Sequence, residues 1–566
     1  MDKRPKSIPG LLVFFGSLLL LANLLQAHFT ELDPDEAYYW VYSRDLAWGY
    51  FDHPPMVALM IKAGYALLSS ELGLRLITIL AQLGTLLIIW TLAGRPRGGH
   101  QLRALMVLFM ALPMLQVYGF ITTPDAPLLF FSALFFWVYR RFTERPTVTT
   151  TLLLGMVMAA LLYSKYHGIL LIGFTVLSNL RLLLQARFYV AALFGLLLFF
   201  PHLYWQYSHD FPSFRYHLQG RDDPYELKHT LNYLINQLLI FSPLLIPFIL
   251  GELKNFSPRS ALERSFVWVI FGFWIFFFLM TFKGHAEPQW TAVLSIPFLL
   301  MLYRAVERRR RYSKLIFNLA LFSAGLLFVA RIVVAVPVAG LVSGFHDSAW
   351  AKALKERARD RTVIFENSYR DAAEYSFYAG EMAYGYTDIY YRRSQYDLMN
   401  WESKAAGDSI LLALKTSWAC PECTDFRWKS RHYQLRELDE WFFPLKVDFS
   451  PLEPVFYEEG ADSLSLILNI VNPYDVEIQM GEGGWPLSFR GIFWGRDGPL
   501  ADVHLRLEPP VEALPPRRSV TAKGHLPVPS GLSGRVDLGL GIAPGPAPPL
   551  LNSRLYQVEL PAESKQ

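Results

Sequence analysis

Asp35 and Glu36 stand side by side in Leu32-Asp33-Pro34-Asp35-Glu36-Ala37-Tyr38-Tyr39-Trp40, and Asp52 and His53 follow in Gly49-Tyr50-Phe51-Asp52-His53-Pro54-Pro55. Three further clusters carry chemistry-bearing side chains. They are Asp125 in Thr122-Thr123-Pro124-Asp125-Ala126-Pro127, Lys165 and His167 in Tyr163-Ser164-Lys165-Tyr166-His167-Gly168, and Lys283, His285 and Glu287 in Lys283-Gly284-His285-Ala286-Glu287-Pro288-Gln289-Trp290. Carboxylates deprotonate a hydroxyl or hold a divalent cation, and lysines neutralise a phosphate leaving group, so acids and bases together suit transfer of a phosphate-linked group. Singly, each residue has an ordinary reading: Asp33, Asp35 or Asp125 as a helix cap, Lys165 or Lys283 snorkelling towards headgroups. Their joint appearance beside apolar segments points to one site, because charged groups there are expensive unless they meet water, a partner or a substrate.

The elements that carry these clusters are membrane helices. Of 566 residues, 52% are hydrophobic and 15% aromatic, and the apolar residues concentrate in the first 336 positions. Stretches long enough to cross about 30 Å of hydrocarbon fall near 9–27, 72–93, 103–120, 124–140, 148–163, 167–182, 187–205, 231–251, 265–282, 288–304 and 314–336, about eleven spans. The first is read as a retained helix rather than a signal peptide, since it lacks a small-residue cleavage site. Pro54 to Ser69 is too short and interrupted to span, and suits an amphipathic helix along the interface. Basic sets at Lys3, Arg4 and Lys6, at Arg95, Arg97 and Arg103, at Arg140, Arg141 and Arg145, at Arg181 and Arg187, at Lys254, Arg259 and Arg264, and from Arg304 to Lys314 all fall on one side. The positive-inside rule makes that side cytoplasmic, with the N-terminus, and places the four clusters on the opposite face. A net charge of +4, dispersed in short clusters, excludes a nucleic-acid partner.

A site of this kind at the outer ends of helices suits a lipid-linked donor, whose tail occupies a hydrophobic groove while its phosphate meets the lysines. No Gly-rich phosphate loop is present, and an exterior compartment lacks nucleotide sugars. The motifs above, in this order, resemble those of the GT-C glycosyltransferases, especially bacterial members related to protein O-mannosyltransferases and to the lipid A aminoarabinose transferase. The resemblance covers roughly the first four hundred residues. It implies an inverting transfer from a polyprenyl-phosphate sugar to an envelope acceptor, lipid A or another glycolipid, or alternatively to an exported protein, in the bacterial inner membrane. It places the catalytic carboxylate at Asp35, with Glu36 beside it and a second acid at Asp125, and phosphate contacts at Lys165 and Lys283. His53 stands where the family usually has lysine, as a phosphate contact when protonated or a metal ligand when neutral. Tyr38, Tyr39, Asp52, His167, His285 and Glu287 would line the substrate cavity. A divalent ion is an open expectation, with Asp35, Asp125, His285 and Glu287 as candidate ligands; no spacing as tight as His-Glu-x-x-His occurs.

The loop from Trp205 to His229 is long enough to close over such a cavity, and its Arg215 and Arg221 are further candidates for phosphate contact. After residue 336 the composition turns polar. Residues 337–452 read as an exterior α/β region, with strands at Thr362 to Phe365 and Ser409 to Leu414 and a helix at Tyr369 to Tyr378. Residues 453–566 read as a β-sandwich, with alternating runs at Ser463 to Ile470, Val503 to Leu507, Ser519 to Leu526, Arg535 to Ile542 and Leu555 to Leu560. Cys420 and Cys423, the only cysteines, suit a small-loop disulfide in an oxidising compartment better than a zinc or redox site. Two other classes fit less well. A transporter places its charges near the midplane on broken helices, and a glycan-binding protein anchored in the membrane has no need of so many spans.

Overall fold

The computed structural model describes residues 8–218, 224–308, 310–336, 347–405, 408–415, 420, 422–439, 443–453, 455, 457, 463–481, 485–495 and 498–560. The chain folds as two compact units, Met1–Asp347 and Ser348–Gln566.

The first unit is helical: α1 Gly10–Phe29, α2 Pro34–Arg44, α3 Met56–Leu67, α4 Glu71–Leu92, α5 Gly99–Ala111, α6 Pro113–Val117, α7 Asp125–Glu144, α8 Val148–Ser164, α9 Gly168–Leu177, α10 Ala186–Ser208, α11 Pro212–Leu218, α12 Leu227–Ile240, α13 Ile246–Lys254, α14 Ala261–Met280, α15 Ser295–Arg308 and α16 Arg310–Ala335. Among the described residues, six segments are long and apolar enough to cross a membrane: Gly10–Phe29, Glu71–Leu92, Ala186–Ser208, Ala261–Met280, Pro288–Arg308 and Ser313–Ala335. They coincide with six of the expected spans; 124–140 and 148–163 are also helical, as α7 and α8, and two others are interrupted for local reasons. The 103–120 stretch breaks where Pro113 opens α6, because proline lacks the N–H that would continue α5 and its ring clashes with the preceding turn. The 231–251 stretch divides at Ser242, whose φ of 67° lies outside the helical region, ahead of Pro243 and Pro247. α3 has twelve residues, about 18 Å of helix, too short to span.

The core of this unit gathers Leu105, Phe109, Phe136, Phe273 and Phe298 from α5, α7, α14 and α15. α8 and α10 touch where Gly155 faces Gly195; a Cβ on Gly155 would sit 2.4 Å from the Ala191 carbonyl oxygen. Small residues permit such close helix contact, which in lipid must come from packing rather than from hydrophobic exclusion. α1, α10 and α16 turn Leu18, Leu21, Leu193, Leu197, Phe322 and Val329 outward, the apolar exposure expected of lipid-facing helices.

The second unit begins with α17 Ala349–Ala358. A five-stranded sheet follows, from β1 Thr362–Glu366, β2 Tyr384–Tyr386, β3 Ile410–Leu414, β4 Thr424–Trp428 and β5 Arg431–Leu438, in the order β2-β1-β3-β5-β4. β1 runs parallel to β2 and β3, with Val363 opposite Leu411, and β5 is antiparallel to β3. β3 is buried along its whole length, as its unbroken Ile-Leu-Leu-Ala-Leu run requires. Among the described residues, a two-stranded pair of Ile478–Gln479 with Ala513–Leu514 and two larger antiparallel sheets complete the unit. One contains Arg506–Glu508, Ser519–Pro527, Ser463–Val471 and Asp448–Pro451, and the other is built on Leu487–Gly495 and Gly534–Pro544. Leu464, Leu466, Leu468 and Ile470 alternate inward and share a core with Phe489, Phe493, Leu538 and Leu540. Asn552 ties the strand-rich part to the segment before it by donating to Pro444 O (2.7 Å). Cys420 and Cys423 are joined by a disulfide.

Candidate active site

α2 starts with a capping box: Asp33 accepts from Asp35 N (2.9 Å), Glu36 accepts from Asp33 N (3.1 Å), and Pro34 occupies the first turn. This arrangement satisfies otherwise orphaned amides and sets where the helix begins. Glu36 is fully buried and also receives Arg75 of α4 in a fork, Nε at 2.9 Å and Nη2 at 2.5 Å. Its Oε1 accepts from Thr122 N (2.8 Å) as well. Arg75 is itself fully buried and donates to the carbonyls of Ala27, Thr30 and Glu31, with Phe120 beneath it at 5.9 Å. A buried ion pair of this kind is strongly destabilising to break. It fastens the start of α2 to α1, α4 and the strand of chain before α7. Asp35, half-buried, projects from that fastened turn.

Asp125 is the first residue of α7, and Lys165 ends α8. Lys165 Nζ lies 2.8 Å from both Asp125 oxygens, and both side chains are buried. Tyr118, just after α6, has its hydroxyl within electrostatic reach of Asp125, Asp33, Asp35 and Glu287 together. Acids from three separated segments therefore act electrostatically on this hydroxyl. Sequence reading gave Tyr118 no role; its one signal is a position seven residues ahead of Asp125, in an otherwise apolar run.

The second loop folds back onto α2 through aromatic packing. Tyr42 stacks on Tyr50 at 4.2 Å, and Tyr38 meets Tyr42 edge-on at 4.8 Å. The Tyr42 hydroxyl donates to the buried Asp52 carboxylate. Burial, and then that carboxylate, push the Tyr42 hydroxyl well above its ordinary range, so it stays a donor. His53 lies between Tyr39 (5.6 Å) and His217 (6.1 Å), and His217 Nε2 donates to Asp52 O (2.9 Å). His202 Nδ1 donates to Trp48 O (2.6 Å), and Ser213 Oγ donates to Tyr50 O (2.9 Å). Gln206 links these by donating to Ser213 Oγ (2.8 Å) and to the Tyr166 hydroxyl (3.1 Å). A Cβ on Gly49 would lie 2.3 Å from the Trp205 ring, so this loop reaches α10 only with glycine there. His202, Gln206 and Ser213, which the sequence reading did not single out, thus position this loop, together with His217 from the 205–229 segment.

Lys283 is exposed, and Gly284 beside it has φ 151°. His285 Nε2 lies 3.7 Å from Glu287, and its ring is 6.4 Å from that of His229. His167 packs between Phe277 (5.1 Å) and Trp290 (5.5 Å). Arg215 pairs on the surface with Asp210 at 2.5 Å. Arg221 lies outside the described residues. Among the described residues, no group of three or more His, Cys, Asp or Glu side chains is placed to hold a metal ion, and of the expected ligands only His285 and Glu287 form an ion pair with each other.

Residues 52–205 match the family model described as dolichyl-phosphate-mannose-protein mannosyltransferase. A lipid A galacturonosyltransferase, RgtD, from Rhizobium johnstonii is 28% identical over 300 residues, covering 51% of this chain. The chain spans 63% of that relative's length. ArnT from Cupriavidus metallidurans superposes with a TM-score of 0.60 in the apo state at 13% identity, covering 75% of this chain and 97% of that one. The same enzyme bound to undecaprenyl phosphate gives 0.59 at 14% identity, covering 75% and 98%. The chain has the GT-C glycosyltransferase fold, and its sequence matches are to glycosyltransferases. It is a polytopic membrane protein with a strand-rich C-terminal unit.

Proposed function

We propose that this chain transfers a sugar from a polyprenyl-phosphate donor to lipid A or a related envelope glycolipid, on the exterior face of the bacterial inner membrane. The observation that carries the reading is the buried Lys165–Asp125 pair at the start of α7, with the Asp35 turn tied by Glu36 to Thr122, three residues before Asp125. The lipid A transferase among the relatives and the undecaprenyl phosphate held by a neighbour of the same fold support the acceptor and donor classes.

In this mechanism Asp35 is the carboxylate that meets the acceptor, on a turn whose Glu36 is committed to Arg75 and to two backbone amides. With a hydroxyl acceptor, Asp35 takes the proton as the oxygen attacks the anomeric carbon; with an ionised phosphate acceptor it orients the nucleophile instead. Inversion follows from attack opposite the departing polyprenyl phosphate. Lys283, exposed on its loop, supplies charge to that leaving group. Lys165 shares its charge with Asp125, so the pair would present a neutralised, directional N–H to the phosphate. His53 and Arg215 would serve as further phosphate contacts, Arg215 after release from Asp210. A divalent ion, where used, would be held by carboxylates of this cluster and would supply further charge stabilisation.

The match to a protein mannosyltransferase model favours a second reading, transfer to an exported protein. Reconstitution of the full chain with a polyprenyl-phosphate sugar and both acceptors, read by mass spectrometry, separates them. A mass increment on lipid A is expected. An increment on the protein alone selects the second reading, and hydrolysis or no turnover with either acceptor sinks the first.

A further inference from the structure

Arg331 lies in the apolar segment Ser313–Ala335, four residues from its end, about 6 Å inside it. Its guanidinium donates to Asn23 Oδ1 (2.7 Å), Gln26 Oε1 (3.3 Å), Gln116 Oε1 (3.5 Å) and Ala22 O (3.5 Å). The Phe120 ring lies 5.1 Å away. Every one of these acceptors is neutral, and among the described residues no carboxylate pairs with Arg331. An arginine near a helix end ordinarily snorkels to the headgroups. This one instead reaches back along α1 to Asn23, six residues before that helix ends.

The amide oxygens are held in that orientation. Asn23 spends its N–H on Gln82, Gln26 on Thr30 (2.9 Å) and Gln116 on Phe109 O (2.9 Å), so each presents its oxygen to the guanidinium. The result is a built cradle for a cation without a counter-charge. Intramembrane charges are costly and are ordinarily paired, so a cradle that fixes a guanidinium and leaves it positive calls for an anion from outside the chain. Arg331 is half-buried, so an anion can reach it. Leu21 and Leu25, either side of Asn23 on α1, and Val329 and Ile332, either side of Arg331 on α16, are exposed and apolar. A soluble anion would have to cross that surface; a lipid phosphate would arrive with its chains already along it.

We propose that Arg331 binds the phosphate of a membrane lipid whose chains lie along α1 and α16. The inference does not depend on the transfer reaction, since Arg331 and its acceptors are given no part in it, although Phe120 is shared with Arg75. Phosphatidylglycerol and undecaprenyl phosphate present the same chemistry from two sources, and diacylglycerol presents the chains without the phosphate.

The full chain in neutral detergent is titrated with each of the three lipids, with binding read by native mass spectrometry and by thermal shift. Phosphatidylglycerol, undecaprenyl phosphate or both should bind and raise Tm, whereas diacylglycerol should do neither. Arg331→Gln should weaken the phosphate lipid about tenfold, the scale of one charge-assisted hydrogen bond, and Arg331→Lys should recover part of the loss. Binding of diacylglycerol equal to that of phosphatidylglycerol and undecaprenyl phosphate overturns the proposal. So does wild-type affinity for both phosphate lipids in Arg331→Gln. Should Arg331→Gln fail to fold, the wild-type preference for phosphate over diacylglycerol and its weakening in Arg331→Lys decide the matter.

Discussion

Three carboxylates in this chain look alike on paper and sit in different physical states. Glu36 is spent on a buried fork, Asp125 on a lysine, and Asp35 stands half-buried on a turn held by others. Asp35→Asn therefore changes little of the cap, whose acceptor is Asp33 and whose reciprocal arm is Glu36. Folding and donor binding should persist while transfer falls on the order of 10²–10⁴-fold, checked by single-turnover assay with saturating donor. Near-normal turnover would move the chemistry to another carboxylate. The two lysines, expected alike to meet phosphate, should also part company. Lys283→Met, at an exposed site, should leave Tm unchanged and cut turnover on the order of 10²–10³-fold. Lys165→Met strands the Asp125 carboxylate and should cost about 3–5 kcal/mol of stability, measured by chemical denaturation in detergent.

Helix starts and close contacts position the candidate site. The opening turn of α2 is joined to α4 through Arg75 and to the chain before α7 through Thr122. Glu36→Gln keeps the shape but leaves Arg75 facing a neutral amide in a buried setting. The expected outcome is a loss of about 3–5 kcal/mol with faster amide exchange across residues 33–40, resolved by hydrogen-exchange mass spectrometry. Unchanged exchange there would mean that Arg75 is held by its three carbonyls alone. The second loop depends on α10 and α11 through His202, Ser213 and His217, so its geometry belongs to the packing of distant helices.

The second unit carries its own pH dependence. Burial alone would raise the Asp371 carboxyl, but Lys415, Ser368 and Arg431 outweigh it, and the net shift is downward. Arg431 binds Asp371 at 2.5 Å and Glu374 at 2.6 Å, over the Trp350 ring. A depressed carboxylate contributes stability that is present above its unfolded pKa, about 3.9, and is lost as pH falls through the folded value. Asp388 and Asp397 are raised, mainly by burial, and act in the opposite sense, contributing as pH falls and losing that contribution as pH rises through their folded values. Protection of the helix Tyr369–Ala379 should therefore decline below about pH 4 in the wild type. In Asp371→Asn it should be lower at neutral pH and flat across that window; a wild-type decline retained in the variant would assign it to other carboxylates. For the molecule as a whole, a periplasm-active phosphatase fused behind the second unit should be active if the proposed exterior placement of the site holds, and inactivity there would overturn that placement.

Apolar run length and strand alternation are local, so the membrane class and the main strands were legible from residues in order, whereas α2 was read only as a loop with Asp33 or Asp35 as a cap. The expected strands at Thr362 to Phe365 and Ser519 to Leu526 are present, whereas Leu487–Gly495 escaped because Gly491 interrupts its alternation. The four acidic and basic clusters were legible as candidates because polar residues beside apolar runs are costly. What each charge pairs with was decided only in three dimensions. The partner of Glu36 lies 39 residues away and that of Asp125 lies 40, and no spacing rule reaches across separate helices. Tyr118 and Arg331 were invisible for the same reason: a tyrosine in an apolar run and an arginine near a helix end acquire meaning from what the bundle brings against them.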